Sequence, residues 1–553
     1  MTRETTPVTT ATEENPVALA DEGPARRRFL AYMGSLTAAA AAGTAVVAAS
    51  TGPAHADPNP KPLTGPLPGA EDAKLGSDLT ELTVAEAATL IRARKLSPVD
   101  LVDAYLARIE KHEPTYQAFN TVLADAARKR ARELAKEPAH NALHGIPLGI
   151  KDNYYTQGVK TTANSLLFKD FVPDYDATCV ARLKANGGIV LGKTQMGPLA
   201  TTRATDPFGV VTSVNAWTPD DPRTNPGGSS TGSATAVAGR LVTSSIGTQT
   251  GGSITNPSNA QNLTGLKPTL GRCSVYGVIP LTYTRDHTGP LARDAVDAAI
   301  MLQALAGADP HDPRTGGVPR PPDYLRATRV ERRGGRVKPP FALRLGVLPG
   351  YTSGTSATAR ARAAMLDEMA NAGVRIKEVS LPDEWDFLTG SSITTASAAE
   401  RCETFMEFLR RDVRGFGVSL NSWLRSLFVP GHDYVTWLRL RMLLLEKILF
   451  ELFRDVNLVV QTSVTPFDLV GCPLIGFPIG FSQNADGLDV PIGALVGGLP
   501  YGEERLLGLA ATYQATTDWH KRRPPEPSAA SARIAAARRP RVTAEEVVAA
   551  GLL

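Results

Sequence analysis

Cysteine is scarce in this chain: four in 553 residues, at Cys179, Cys273, Cys402 and Cys472. They have neither the density of a disulfide scaffold nor the spacing of a zinc site, so buried free thiols and no structural metal are expected. Charge of one sign is also missing. A formal net charge of +4 on a chain of this size gives no reason to expect nucleic acid as a partner. There is no internal repeat, and no linker divides residues 78–522, although the length alone would permit three domains. Residues 437–453 are strongly apolar but carry Arg439, Arg441, Glu446, Lys447 and Glu451, which makes them an amphipathic core helix and excludes a membrane span. With 42% hydrophobic and 21% charged residues, the chain can bury a large core.

Residues 1–56 read as a targeting segment. A polar start leads to Arg26-Arg27-Arg28-Phe29-Leu30, then an Ala-rich apolar stretch over 31–50, then Ala54-His55-Ala56 as a small-residue cleavage site. The arginine run resembles a twin-arginine export signal. An Ala-rich membrane anchor is the competing reading, and the cleavage site with few Leu or Ile argues against it. The expectation is export by the twin-arginine machinery, a secreted or extracytoplasmic location, and no stable membrane span after processing. Residues 57–77, rich in Pro and Gly, read as a flexible mature N-terminus, and residues 523–553 as a surface-draped or partly disordered tail.

Between these ends, helix and strand signals alternate. Thr83-Val84-Ala85-Glu86 is a capping box, and Ser97-Pro98-Val99-Asp100 opens a second helix with Leu101, Tyr105 and Ile109 at helical spacing. Leu148-Gly149-Ile150, Ile189-Val190-Leu191, Leu345-Gly346-Val347, residues 374–379 and Leu458-Val459-Val460 read as strands. Helices are expected over 177–186 and 358–371, and an exposed loop over 327–340. This order predicts an α/β layered fold with a buried, largely parallel or mixed sheet.

The chemistry concentrates in three places. Two Gly-Gly-Ser turns occur in Asn225-Pro226-Gly227-Gly228-Ser229-Ser230-Thr231-Gly232 and in Gly247-Thr248-Gln249-Thr250-Gly251-Gly252-Ser253-Ile254-Thr255-Asn256-Pro257. Glycine lets a turn aim several N–H groups at one point, and a serine ending such a turn has the donors an acyl-transfer site requires. No Gly-Lys-Ser/Thr ending is present, so these turns are not phosphate cradles. The third place is Gly145-Ile146-Pro147-Leu148-Gly149-Ile150-Lys151-Asp152-Asn153, where a lysine follows an apolar strand.

Together, Lys151, Ser229 and Ser253 resemble the amidase signature family, whose members hydrolyse amides with a Ser–Ser–Lys triad. The likeness runs from Leu79 to His520, including Gly265-Leu266-Lys267-Pro268-Thr269 and Asp286-His287-Thr288-Gly289-Pro290-Leu291-Ala292-Arg293. It implies a single large domain over 78–522 with a central mixed, mostly parallel twisted sheet covered by helices. It implies Ser253 as nucleophile, Ser229 as bridge with a cis peptide bond, and Lys151 as general base. Backbone N–H groups of Thr250, Gly251, Gly252 and Ser253 would form the oxyanion hole, with Ser230 and Asp152 in support. No metal or organic cofactor is implied, and the partner is a small-molecule amide; esters and carbamates are also family substrates. A lysine is protonated at neutral pH, with a pKa near ~10.4, so burial among serines must lower it. The expected result is activity rising toward alkaline pH with no histidine-like limb.

Two departures stand out. The family usually has Asp where Gln249 stands and Arg where Thr255 stands, an ion pair bracketing the nucleophile; both charges are absent. Thr231 replaces a usual Gly and would tighten the turn beside Ser229. Gly228-Ser229-Ser230-Thr231-Gly232 also fits the Gly-x-Ser-x-Gly elbow, which would make Ser230 the nucleophile with a downstream His such as His287, His311, His432 or His520. Pro222 and Pro226 oppose this, because the elbow must follow a strand. A non-catalytic extracellular binding protein on the same fold is the alternative from another class.

Overall fold

The capping box at Thr83 forms as read: its hydroxyl accepts from Glu86 N–H while the Glu86 carboxylate accepts from Thr83 N–H, opening the helix Val84–Arg92. Ser97 caps the helix Pro98–Tyr116, with proline at its first position. The computed structural model describes residues 67–334, 336–390 and 395–528. The proposed export signal, residues 57–66 and the tail beyond residue 528 lie outside them.

The strands are β1 (Phe119–Val122), β2 (Pro147–Lys151), β3 (Ile189–Thr194), β4 (Ser244–Gln249), β5 (Thr264–Lys267), β6 (His287–Ala292), β7 (Glu331–Arg333), β8 (Arg336–Lys338), β9 (Arg344–Val347), β10 (Arg375–Glu378), β11 (Leu458–Val460), β12 (Leu474–Gln483) and β13 (Asp489–Gly498). Eleven of them form one sheet, in the order β1-β3-β2-β4-β6-β5-β12-β13-β11-β9-β10. The sheet is mixed, as expected, but it is not mostly parallel. Four pairings are parallel and six antiparallel. The difference lies at its centre: β12 and β13 are joined by a turn over Asn484–Leu488, and so short a connection permits only an antiparallel pair. Residues 327–340 likewise hold more than a loop, since β7 and β8 pair as a separate hairpin that buries Val337.

Helices cover the sheet. Every residue of β2, β4, β5 and β6 is buried, as is every residue of the helix Thr231–Ala238. That explains their near-continuous small and apolar runs, which lack the alternation of a half-exposed strand. One core cluster extends from Leu67 to Tyr513. Arg523 and Glu526 reach back to the N-terminal helices, pairing with Glu81 at 2.6 Å and with Arg108 at 2.9 Å. All four cysteines are buried and unpaired. No helix among the described residues is long and apolar enough to cross a membrane.

Candidate active site

Strands β2 and β4 are parallel neighbours, with Ile150 opposite Ile246, so their C-terminal ends leave the sheet side by side. Clefts in open α/β sheets form at such ends. Lys151 ends β2 and Gln249 ends β4. The chain then turns through Thr250–Ile254 into the helix Thr255–Ala260. Ser229 arrives from an irregular segment containing Pro222 and Pro226, and Ser230 is the N-cap residue of the helix Thr231–Ala238. The Gly228–Ser229 peptide bond is cis.

Lys151 Nζ lies 2.8 Å from Ser229 Oγ, 2.8 Å from Thr248 Oγ1 and 3.4 Å from the Thr248 carbonyl. A neutral amine fits this cage, because it can donate to the two Thr248 oxygens and still turn its lone pair to the Ser229 hydroxyl. Three fully buried lysines make the comparison. Lys193 has Asp152 at 3.2 Å and Lys267 has Asp468 at 3.2 Å, whereas Lys151 has no carboxylate at ion-pair distance among the described residues. Burial disfavours the charged form and pulls the Lys151 amine down to about 7, with the Asp286 charge opposing. An amine at that value titrates where histidine does, so a limb near neutral pH would belong to Lys151 and not to a histidine. Exposure rises from Lys151 at 0% through Ser229 at 1% to Ser253 at 8%, so the last serine is the one nearest to solvent. Ser253 is tied to the cis segment through its carbonyl, which accepts from Ser230 N–H at 3.3 Å.

The turn before Ser253 requires glycine at 252. Its φ is +85°, and a β-carbon there would collide with the Asn256 side chain. Its N–H donates to Asp468 Oδ2 at 2.7 Å, which corrects the expected oxyanion hole: Gly252 is engaged, leaving Thr250, Gly251 and Ser253 as candidate donors. The two charges missing from the motif are replaced here. Gln249 Oε1 accepts from the N–H groups of Ile254 and Thr255 at 2.9 Å each, and from Thr255 Oγ1 at 3.2 Å. Gln249 Nε2 donates to both Asp468 oxygens, at 2.9 and 3.1 Å. Asp468, held by Lys267, thus returns a negative charge to the back of the turn.

A family model described as Amidase matches residues 100–427. The A-subunit of the glutamyl-tRNA(Gln) amidotransferase of Geotalea daltonii is 32% identical, over 81% of this chain and 99% of that protein. Its counterpart in Azotobacter vinelandii is 34% identical over 80% and 99%. The solved peptide amidase of Stenotrophomonas maltophilia is 27% identical, with a TM-score of 0.69 over 81% of this chain and 98% of that one. The chain belongs to the amidase family.

Within this amidase fold, the remaining predicted residues have other partners. The Asp152 carboxylate makes its ion pair with Lys193 and not with Lys151. It also accepts from Asn120 Nδ2 at 2.8 Å and Thr162 Oγ1 at 2.6 Å. Ser230 is fully buried and donates to the Thr248 carbonyl at 3.3 Å, so it does not serve as an exposed elbow nucleophile. Thr231 does bind back across its turn, to the Gly227 carbonyl at 2.8 Å. His287 is buried between the carbonyls of Gln249 and Arg285, and burial with the nearby Lys267 charge holds it well below its ordinary value. Sequence reasoning missed Thr248, Asn153, which donates to Thr248 Oγ1 at 3.1 Å, and Asp468. Asp468 carried one usable sign: a lone acid in the apolar run Phe467-Asp468-Leu469-Val470, as odd a place as that of Lys151.

Proposed function

We propose that the chain hydrolyses a carboxylic amide to an acid and ammonia or an amine through an acyl-enzyme on Ser253. Neutral Lys151 takes the Ser229 proton as Ser229 takes that of Ser253, and the Ser253 oxygen attacks the carbonyl carbon. The N–H groups of Thr250, Gly251 and Ser253 receive the oxyanion. The relay then runs backward to protonate the leaving nitrogen, and water releases the acid by the same route. The observation that carries this reading is Lys151 Nζ at 2.8 Å from Ser229 Oγ in a buried site without a paired carboxylate among the described residues. Esters and carbamates fit the same chemistry. Export through residues 1–56 belongs to the proposal and rests on the arginine run and the Ala-rich stretch alone.

A fluorophosphonate should label the wild-type chain at Ser253 and fail on Ser253→Ala, while a panel of aliphatic, aryl and peptide amides is turned over only by the former. Labelling without turnover of any amide, ester or carbamate would remove the hydrolase reading. A second reading, one component of a multi-chain amidotransferase, is supported by the names of the relatives of similar length. It expects glutamine hydrolysis that rises strongly when the other components are added.

A further inference from the structure

Beside the nucleophile turn stands a cation that has no ion-pair partner among the described residues. Arg285 Nη2 donates to the Thr250 carbonyl at 2.8 Å and Nη1 to Ser397 Oγ at 2.8 Å. A guanidinium has five N–H donors, so most of its capacity is unspent.

Three acids act on Arg285 from further away, Asp468, Asp286 and Glu400. Each has closer partners. Asp468 faces Lys267; Asp286 accepts from Thr250 Oγ1 and from the N–H groups of Leu281 and Thr282; Glu400 accepts from Thr284 N–H at 2.8 Å and Tyr434 Oη at 3.0 Å. Two further guanidinium groups, Arg401 and Arg441, repel Arg285. With Lys267, four cations face three carboxylates, a surplus of one positive charge. The surplus borders open space. Gly251, two residues before Ser253, is exposed, and a β-carbon placed on it would meet a single atom within 4 Å, Arg285 Nη2 at 4.0 Å.

We propose that Arg285 binds a carboxylate carried by the substrate, so that the amides cleaved here have an anionic group close to the scissile bond. The proposal rests on Ser253 being the nucleophile. A half-buried cation lacking a counter-ion is costly, and a carboxylate entering beside Gly251 supplies one through charge-assisted hydrogen bonds. The carboxylate belongs either to the acyl part or to the leaving amine, and the two require different substrates.

The experiment uses the full chain and compares kcat/KM for charged and neutral partners in two arms. The acyl arm pairs succinamate with butyramide and glutaramate with valeramide; the amine arm pairs N-acetylglycine with N-ethylacetamide. Wild type should favour the charged member in one arm by about 10- to 100-fold, the worth of hydrogen bonds to a charged group. Arg285→Gln should collapse that ratio, and Arg285→Lys should restore it only in part, because an ammonium cannot reproduce the fork. No preference in either arm, or an equal loss on both members in Arg285→Gln, would mean that Arg285 only fastens the Thr250 carbonyl and would overturn the proposal. A labelling readout accompanies this: glutarate and N-acetylglycine, but not glutaramide, should include one that slows fluorophosphonate labelling of Ser253. Labelling that proceeds unaffected by both anions overturns the carboxylate site and leaves the nucleophile standing; absence of labelling overturns both.

Discussion

The end of β2 holds Lys151 2.8 Å from Ser229 Oγ, while the acid that follows it in sequence, Asp152, faces away to Lys193. The division gives one buried lysine a counter-ion and denies it to the other: burial lowers both amines, and at Lys193 the adjacent Asp152 charge opposes that shift.

The first prediction follows from the Lys151 amine. Below a pH of about 7 it is protonated and cannot accept the Ser229 proton; above it the relay is open. The logarithm of kcat/KM should therefore rise with pH along a single-proton limb centred near 7 and then level off. His287→Asn should leave the limb in place, and Lys151→Arg, charged at every pH, should be inactive throughout. A limb that disappears in His287→Asn would reassign the base.

A second prediction concerns stability. Lys151 is lowered on folding, so between about 7 and its unfolded value near ~10.4 the unfolded chain binds the extra proton. The destabilisation is full below that window and fades as pH rises through it, so stability should increase with pH there. Replacing the amine by Lys151→Met should flatten this rise, read as the difference in Tm between variant and wild type from about pH 6 to about pH 10.

Much of this was legible because the signals are local. The Thr83 capping box, the proline at 98 and the short β-branched runs at 189 and 458 each specify an element within a few residues, and each formed. Lys151, Ser229 and Ser253 were legible as motif positions, and the sheet brings the first two into contact. The long hairpin was not. Leu474–Gln483 contains Gly476, Pro478 and Gly480, which read as turn residues, and the strand absorbs them with a register shift after Pro478. Asp468 was hidden for another reason. It lies far from Ser253 in sequence, and a buried acid acquires meaning only when folding sets Lys267, Gln249 and Gly252 around it.

A third prediction tests the turn. Gly252→Ala must change either φ at +85° or the Asn256 side chain, and both move the N–H groups of Gly251 and Ser253. The expected loss in kcat is about 10²-fold or more, the scale of losing one oxyanion donor. Far-ultraviolet circular dichroism should stay unchanged, which separates a displaced turn from an unfolded chain.

The fourth prediction concerns the relocated charge. Asp468→Asn leaves Lys267 buried without its counter-ion, and breaking a buried pair from one side costs about 3–5 kcal/mol. Gln249→Asp alone sets a second carboxylate against Asp468 and removes the amide that donates to it, so it too should destabilise and slow the enzyme. The double variant moves the negative charge to position 249 and lets the amide introduced at position 468 donate toward it. If the turn needs one carboxylate at its back, whichever chain segment supplies it, the two substitutions together should cost less than their sum, with a coupling above about 1 kcal/mol in the double-mutant cycle on both unfolding and kcat. Strict additivity would mean that Asp468 serves Lys267 alone and that Gln249 holds the turn without it.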